Sequence, residues 1–553
     1  MSAPGLDAVD LQVLVGGLRA ACDEMGAVLV RSAHSPNITE RRDCSTALFS
    51  AAGEMIAQAE HIPVHLGAMP ASVAAVRDEE HRPGVSWILN DPYAGGSHLP
   101  DITVVTPVFA GDAPGGEPAD DGWHRADGGT ASGGDRVTRT ATPGGRQDGA
   151  AGPRLVGFAA ARAHHADVGG RTPGSMPADS TTLEEEGVII TPRPLTPGLV
   201  DELAGLMRHP EQRRADLRAQ VAACEAGAAR LAELAAARGP DALEEALSEV
   251  LAYGERRMIA AIGSLPRGVH EFDDLLEGRD GPIPLHVRVE VRGDAVEVDL
   301  RDAPDQGAHN LNCPRAVTES ACLFAVRAAV ADAELPTDDG TRRRISVLTR
   351  PGSILDVRPG PDGARPAVVA GNVETSSRVA DLVLGALGRA LGQGTMNNVT
   401  LGDEHRTMYE TIAGGQGALP DADGPSAVHV AMSNTRNTPV EALEVGFPVR
   451  VQRYEMRRGS GGAGAHRGGD GVVRELRALE PLEYQLLGER RTVGARGADG
   501  GEDGARGRHA LDGRELPPKT GGWMEPGQVL RIETPGGGGC GTPPPPGDGP
   551  AAP

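Results

Sequence analysis

The chain has 553 residues and a formal net charge of −23, so its length allows several domains and its charge argues against nucleic acid and anionic membranes as partners. Its composition is rich in glycine (77) and proline (44), and no apolar run reaches the roughly 18 residues that a membrane span requires. We see no secretory signal at the N-terminus and no CxxC pair among the six cysteines, so we expect a cytoplasmic protein with reduced thiols.

The first predicted region, residues 1–200, alternates helices and strands and contains the candidate site. A helix is predicted over 7–33, because Asp7 suits an N-cap and apolar residues follow at helical spacing. The other predicted elements are a strand at the end of 35–50, a short helix after 59–70, and strands over 87–91, 102–109 and 155–163. Residues 111–153 lack any apolar period, which indicates a disordered insertion between two strands.

The rest of the chain is predicted to form three more regions and a tail. These are a helical hairpin (201–265), an α/β middle region (266–427), a β- and glycine-rich region (428–541) and a disordered tail (542–553). Their elements are helices over 211–238 and 241–262, a β-hairpin between Leu285 and Leu300, helices over 316–332 and 376–392, and glycine clusters, interpreted as loops, at 459–471, 494–504 and 536–541. The pattern predicts a multi-domain, mixed α+β fold that is rich in β-sheet around a central helical hairpin.

Two short polar segments at strand ends carry the side chains of a candidate metal site. They are DPYAGGSHLPD, with Asp91, His98 and Asp101, and AHHADVGG, with His164, His165 and Asp167. If the strands 102–109 and 155–163 are neighbours, the two segments meet at one edge of a sheet. Imidazoles and carboxylates together suit Mn²⁺, Fe²⁺ or Zn²⁺, and such an ion can polarise a carbonyl or lower the pKa of a bound water.

Either segment alone is more typical of a hydrogen-bonded loop than of a metal site, and only their combination favours a metal. Successive residues of an extended chain point to opposite faces, so we expect one of His164 and His165 to be a ligand. The other orients a ligand or the substrate.

Three further polar features of the sequence have two interpretations each. His61 and His65 either join the site or line a loop, and the loop interpretation is favoured. The run from Glu40 to Asp43 is either a solvated charge run or the location of a buried carboxylate. The acidic run 184–186 is interpreted as surface.

Motifs that span nearly the whole chain, in a fixed order, carry a family resemblance. They are NITERRDCS, HIPVHLGAMP, NDPYAGGSHLPDITVVTPVF, AHHADVGG, GNVETSSRVAD, YETIAGGQGA, NTRNTPVEALE and GSGGAGAHRGGDGVVRE. Together they resemble the hydantoinase B/5-oxoprolinase family. This family includes the B-type chain of ATP-dependent N-methylhydantoinase and the related large subunit of acetone and acetophenone carboxylases.

The resemblance implies a hydantoinase B-like fold and a division of labour in a hetero-oligomer. An A-type partner subunit would use ATP to activate a small-molecule substrate. This chain would complete the hydrolysis of a cyclic amide of the hydantoin or 5-oxoproline type. Lys519 is the only lysine of the chain, so no P-loop GxxxxGK[ST] is available, which agrees with ATP being used by the partner.

The resemblance also implies which residues form the site. The metal ligands would be Asp91, His98, Asp101 and one of the two adjacent histidines, assigned here as His164. Glu40 is a weaker candidate, and His165 and Asp167 would handle protons. An alternative function is the metal-bearing subunit of an ATP-dependent ketone carboxylase, and a third is a non-catalytic scaffold for a catalytic partner.

Overall fold

The computed structural model describes residues 6–60, 62–111, 154–330, 332 and 334–544. The predicted insertion, apart from Gly111, lies outside these residues, as do His61 and most of the predicted tail. The helices are α1 (Ala8–Ser32), α2 (Pro36–Thr39), α3 (His65–Ala74), α4 (Pro197–Gly205), α5 (Pro210–Arg238), α6 (Pro240–Ile262), α7 (Arg315–Ala329), α8 (Asp339–Arg342), α9 (Ser376–Ala386) and α10 (Val440–Gly446). None of these helices combines the length and apolarity needed to cross a membrane.

The strands form four sheets, and their bounds are as follows. The first half contributes β1 (Cys44–Ser50), β2 (Met55–Glu60), β3 (Trp87–Leu89), β4 (Asp101–Phe109), β5 (Leu155–His164), β6 (Arg193–Pro194), β7 (Gly268–Gly278), β8 (Gly281–Val291), β9 (Val296–Asp299) and β10 (Ile345–Leu348). The second half contributes β11 (Asn398–Gly402), β12 (Thr407–Glu410), β13 (Val449–Arg457), β14 (Gly471–Ala478), β15 (Leu482–Leu487), β16 (Arg508–Leu511), β17 (Arg514–Leu516), β18 (Lys519–Met524) and β19 (Val529–Glu533). The multi-domain, mixed α+β prediction is confirmed.

The first sheet has the strand order β2-β1-β5-β4-β3-β6 and positions the candidate site. Its central strands β4 and β5 are neighbours and pair antiparallel, an adjacency that the sequence leaves open. Side chains of these two strands alternate between two cores: Val104 and Ala161 face the core that contains α1 and α5, and Val105 and Ala160 face the core that contains α3. Because both faces are covered, polar groups at the strand ends are buried as well.

Helix boundaries follow local chemistry. The Asp7 side chain accepts hydrogen bonds from the backbone N–H groups of Val9 and Asp10, which begins α1 at its predicted place. Gly239, with φ of +83°, separates α5 from α6, and Pro240 begins the second helix. Both helices of this hairpin contribute to the core under the first sheet. The predicted division of the chain at residues 200, 265 and 427 stays a prediction.

The middle of the chain contains the sheet β10-β9-β8-β7, covered by α7 and α9. The predicted hairpin corresponds to β8 and β9, which pair antiparallel, while β7 was not predicted. The predicted helix 376–392 ends earlier, at Ala386, and a π-helical turn, Gly371–Thr375, precedes it. Turns of this kind are rare and recur at functional sites.

The interpretation of the run 184–186 as surface is wrong for Glu186, which is fully buried. Its carboxylate accepts hydrogen bonds from the backbone N–H groups of Val368 and Val369 and from the hydroxyl of Ser180. Burial raises the pKa of Glu186 to about 8 despite these bonds. Glu184, two residues earlier, is exposed as expected.

The glycine clusters of the C-terminal region pack against one another as extended backbone. Gly462 donates to the carbonyl oxygen of Gly537, and Gly537 donates to that of Gly469. A Cβ atom at Gly537 would lie 2.1 Å from the carbonyl oxygen of Gln416, so only glycine fits there. These clusters are a packed part of the structure rather than simple loops.

Candidate metal centre

Strand pairing brings the two predicted segments together. Asp101, the first residue of β4, lies opposite His164, the last residue of β5. Asp101 Oδ2 lies 3.1 Å from His98 Nδ1, and Asp101 Oδ1 lies 3.3 Å from His164 Nδ1. One potential ligand atom from each of these three buried residues lies within 4.8 Å of the other two. The predicted meeting of the two segments is therefore confirmed.

The buried histidines present unpaired nitrogen atoms. Among the residues that the structure describes, His98 Nε2 and His164 Nε2 have no hydrogen-bond partner, although both side chains are almost fully buried. Unpaired polar groups are costly in a protein interior, and a cation coordinated by these nitrogens would satisfy them. A cavity of about 20 Å³ between the side chains has room for one ion or one water. The residues thus fit a divalent metal ion.

The electrostatics of the cluster favour the metal-binding ionisation states of Asp101 and His164. Burial alone would raise the pKa of Asp101, but the charge of His98 and the contacts with His164 and His65 outweigh it and hold that pKa well below its usual range. Burial lowers the pKa of His164. A carboxylate and a neutral imidazole are the forms that donate electron pairs to a metal.

His65 joins the cluster, so the interpretation that it lines a loop is wrong. It is the first residue of α3, and its Nδ1 lies 2.9 Å from the hydroxyl of Ser45. Its Nε2 lies 3.4 Å from Asp101 Oδ2. The hydroxyl of Ser97 also donates to Asp101 Oδ2, at 2.7 Å. His65 and Ser97 therefore hold the carboxylate between them.

The charge run after α2 is not uniformly solvated, because Arg41 and Asp43 are buried. Arg41 lies 3.8 Å from Asp43 and donates to the carbonyl oxygen of Tyr409 at 2.9 Å. The guanidinium of Arg41 lies 4.5 Å from the centroid of the Tyr409 ring. The ring of His164 stacks on the same tyrosine, also at 4.5 Å between centroids. Glu40, the weaker candidate ligand, is exposed.

The pairing register of β1 with β5 is the feature that places Asp43 beside the candidate site. The backbone N–H of His164 donates to the carbonyl oxygen of Asp43, immediately before β1 pairs with β5. The residues that enter β1 must therefore lie beside the end of β5. Sequence alone does not reveal which strands pair, so it does not predict that Asp43 lies beside His164.

The remaining predicted site residues lie outside the cluster. Asp91 accepts a hydrogen bond from the backbone N–H of Tyr93 and lies 4.0 Å from Arg365. His165 Nε2 lies 2.8 Å from Gln220 Oε1 on α5, so the two adjacent histidines do point to opposite faces. Burial lowers the pKa of His165 and favours its neutral ring.

Asp167 orders the glycine-rich turn that follows β5. Its carboxylate accepts hydrogen bonds from the backbone N–H groups of Gly169 and Gly174, both at 2.7 Å, and pairs with Arg208 at 3.1 Å. Of the predicted ligands, the structure brings together His98, Asp101 and His164 and not Asp91. The predicted roles of Asp91, His165 and Asp167 stay predictions.

Comparison with known proteins identifies the family. A model described as hydantoinase B/oxoprolinase matches residues 7–543, and the chain belongs to this family. 5-oxoprolinase 1 of Arabidopsis thaliana is 35% identical over 97% of this chain and 42% of its own length. An uncharacterized protein of Methanocaldococcus jannaschii is 32% identical over 97% of this chain and 91% of its own length.

Two solved structures share the fold. The ATP-dependent caprolactamase from Pseudomonas jessenii superposes with a TM-score of 0.83 at 26% identity, covering 98% of this chain and 92% of its own. A nucleotide-free acetone carboxylase superposes with a TM-score of 0.78 at 17% identity, covering 96% of this chain and 75% of its own. The chain spans about two fifths of the length of the 5-oxoprolinases from Arabidopsis thaliana and Dictyostelium discoideum.

Proposed function

We propose that this chain is the B-type subunit of an ATP-dependent amidohydrolase that opens cyclic amides at a metal centre formed by His98, Asp101 and His164. The buried cluster of three potential ligands around a single-ion cavity is the observation that carries this proposal. Its relatives include 5-oxoprolinases, and a structural neighbour is a caprolactamase. 5-Oxoproline and caprolactam, the compounds in these enzyme names, are both cyclic amides.

A divalent ion bound here would polarise a substrate carbonyl and lower the pKa of water. Asp101 supplies the negative charge that offsets the charge of the ion, and Ser97 and His65 fix its orientation. Stacking on Tyr409 orients the ring of His164. The side chains around the cavity are buried, which excludes bulk water and strengthens each electrostatic interaction.

In this proposal, His65 is the first candidate for the residue that accepts and donates protons. Its Nε2 faces Asp101 at the cavity, and its Nδ1 has Ser45 as a partner that can fix the tautomer. His165 and Asp167 have their partners on α5 and in the glycine-rich turn, so a role for them would require a change of conformation.

ATP would be used by an A-type partner subunit. The chain corresponds to about two fifths of the 5-oxoprolinases, and the rest of their length is the natural counterpart of such a partner. Lys519, the only lysine, donates to the carbonyl oxygen of Glu277 at 2.9 Å and pairs with Glu489. It is therefore engaged within this chain rather than free for a nucleotide.

Elemental analysis of the purified chain tests the metal centre. We expect one divalent ion per chain, and loss of that ion in His98→Ala and Asp101→Asn. Full activity of both variants in a chain that contains no metal would support the scaffold function and overturn this proposal.

Co-expression with an ATP-using A-type subunit tests the reaction. We expect ATP-dependent opening of a hydantoin or lactam ring without bicarbonate, measured by chromatography of the ring-opened product. A requirement for bicarbonate together with a ketone substrate would instead identify a carboxylase.

A further inference from the structure

Acid–base chemistry at the metal centre would take place among side chains that have almost no contact with bulk water. The described titratable residues that line the cavity are at most 6% exposed: Asp43, His65, His98, Asp101, His164 and Tyr409. Hydrolysis of an amide moves protons, because the attacking water loses one and the leaving nitrogen gains one. Repeated turnover therefore requires a path by which protons pass between these buried groups and solvent.

A hydrogen-bonded pair of side chains leads away from the cavity. Ser433 lines the same cavity as His98 and Asp101 and is 4% exposed. Its hydroxyl lies 2.7 Å from Nδ1 of His429. His429 lies outside the cavity lining and is partly exposed. The pair thus joins a buried residue of the cavity to a ring that is within reach of water.

The backbone around this pair is held in an unusual conformation. Ala427 and Ala431 have φ of +56° and +50°, in the left-handed region that residues other than glycine seldom adopt. Strained backbone of this kind recurs at functional sites, where the surrounding structure holds it in place. Here Val428 exchanges two backbone hydrogen bonds with Gly414. The position of His429 is therefore fixed by the fold.

The ring of His429 is suited to passing a proton rather than storing one. Burial, and to a smaller extent the charge of Arg41, lowers its pKa to about 4. A neutral imidazole has one nitrogen that accepts and one that donates. Ser433 can gain a proton from the cavity as its own moves to Nδ1 of His429, and Nε2 of His429 then loses its proton to water. Neither side chain changes its net charge, and exchange with water returns the ring to its first tautomer.

The other described hydroxyl groups of the lining lead to groups that cannot accept a proton. Thr411 and Thr435 bond each other and Nη2 of Arg41, at 3.3 and 3.4 Å from that nitrogen. A guanidinium only donates. The hydroxyl of Tyr409 lies 3.3 Å from the amide nitrogen of Asn398, which also only donates.

A serine beside a histidine is also the arrangement of a nucleophile and its base. Such a base is usually oriented by a third group, commonly a carboxylate. Within the described residues, no carboxylate is paired with the ring of His429. The contacts of this pair therefore favour proton transfer over attack by the serine.

We propose that Ser433 and His429 form a proton relay between the metal cavity and solvent. The inference rests on the proposed function, because it takes reaction at the metal centre as the source and the destination of the protons. It assigns roles to two residues that lie outside the set of candidate ligands, and His429 acts through Ser433.

Opening of hydantoin by the chain together with its A-type partner tests the relay. We expect His429→Ala and Ser433→Ala to lower kcat at least about tenfold, with metal content and melting temperature retained. Added imidazole should restore the rate of His429→Ala, because it replaces the missing base, and should not restore that of Ser433→Ala. His405→Ala removes an exposed histidine of another loop and serves as the control.

His429→Asn distinguishes the relay from a structural role. Its side-chain carbonyl oxygen can accept from Ser433 in place of Nδ1, but an amide does not pass a proton on. The relay predicts the same loss of rate as in His429→Ala. A wild-type rate in His429→Asn, a loss in His429→Ala that imidazole does not restore, or an acylated Ser433 detected by mass spectrometry would overturn the relay.

A pH jump on the chain loaded with Co²⁺ tests the relay without turnover. Visible absorption of the ion reports the protonation of water that it binds. We expect this absorption to re-equilibrate at least about tenfold more slowly in Ser433→Ala than in the wild type, with the same final spectrum. Equal rates would overturn the relay alone. A wild type that binds no Co²⁺, or whose absorption does not respond to pH, would overturn the proposed function and the relay with it.

Discussion

Asp101 receives contacts from four residues in three separate parts of the chain. Ser97 and His98 precede it in the same turn, His65 begins α3, and His164 ends β5. A carboxylate in such surroundings keeps its negative charge although it is buried, because every neighbour favours the ionised form. Asp101 therefore contacts all three imidazoles and also carries the negative charge of the centre.

Asp101→Asn retains the shape of the side chain and removes its charge. We expect the affinity for a divalent ion to fall at least about 100-fold, because loss of a ligand exceeds the usual effect of losing a supporting residue. Competition with a fluorescent chelator measures this affinity. Asp91→Asn is the matched comparison: it should bind metal like the wild type, and a similar loss would restore Asp91 as a ligand.

Glu186 gives the stability of the protein a dependence on pH. Its pKa is about 8 in the folded chain and 4.5 when unperturbed, so the folded chain retains a proton that the unfolded chain releases. The stabilisation is complete below about pH 4.5 and is lost as the pH rises through about 8. Over this window the group lowers the free energy of unfolding by up to ~1.4 kcal/mol per pH unit.

Glu186→Gln mimics the protonated carboxyl and should remove this contribution. Urea unfolding at several pH values between about 5 and 8 compares the slopes of the variant and the wild type. Glu184→Gln changes an exposed carboxylate two residues away and should leave the slope unaltered. Equal slopes in the Glu186→Gln variant and the wild type would contradict the assignment.

At the scale of elements, the extended glycine segments depend on close backbone approach. We expect Gly537→Ala to lower the free energy of unfolding by about 1–3 kcal/mol or more, because its Cβ would overlap a carbonyl oxygen. Gly17→Ala is the control: it lies inside α1, where no atom of the described residues, apart from the adjacent backbone of the helix itself, comes within 4 Å of the added Cβ. This second change should raise stability by roughly 0.5–1 kcal/mol, and chemical denaturation distinguishes the two.

Elements with strong local signals were predicted from the sequence and others were not. The N-cap at Asp7 and the break at Gly239 are local features, and α1, α5 and α6 lie within two residues of their predicted bounds. Strand β7 does not stand out in the sequence because charged residues interrupt its apolar pattern, as in HEFDD (270–274), where Asp273 is exposed and Asp274 is buried. The π-helical turn before α9 has the same apolar spacing as a helix, so periodicity does not detect it.

The residues of the candidate site likewise fall into two groups, those with a local sequence signal and those without one. His98, Asp101 and His164 stand at the ends of two recognisable strands, and their pairing was a reasonable inference. His65 and Arg41 reach the centre only through the packing of α3 and the segment before β1 against the sheet. Such contacts depend on tertiary structure, and nothing in the local sequence distinguishes these residues from a loop histidine and a surface arginine.

At the scale of the whole molecule, the metal cavity connects distant parts of the chain. Its lining comes from the first sheet, from the π-helical turn through Asn372, and from the segment between Tyr409 and Thr435. A metal ion bound at the site should therefore stabilise all of these segments together. At a free metal concentration 100 times Kd, it should raise the free energy of unfolding by ~2.7 kcal/mol.

Removal of the metal by a chelator should accordingly lower the melting temperature of the wild type, as measured by scanning calorimetry. The Asp101→Asn variant should melt at the same temperature with and without chelator. A wild type whose melting is insensitive to the chelator would show that the site does not link these segments.

The β4–β5 pair has its two ends in very different surroundings. Asp101 faces His164 at one end, and Phe109 faces Leu155 at the other, about 27 Å away at the usual rise per residue. Residues 112–153 are joined to this second end, so a change in their length or composition should not disturb the chemistry at the first end. The end of the β4–β5 pair at Phe109 and Leu155 should therefore tolerate replacement of the connecting segment. Exchanging 112–153 for a short turn should leave the metal content unaltered.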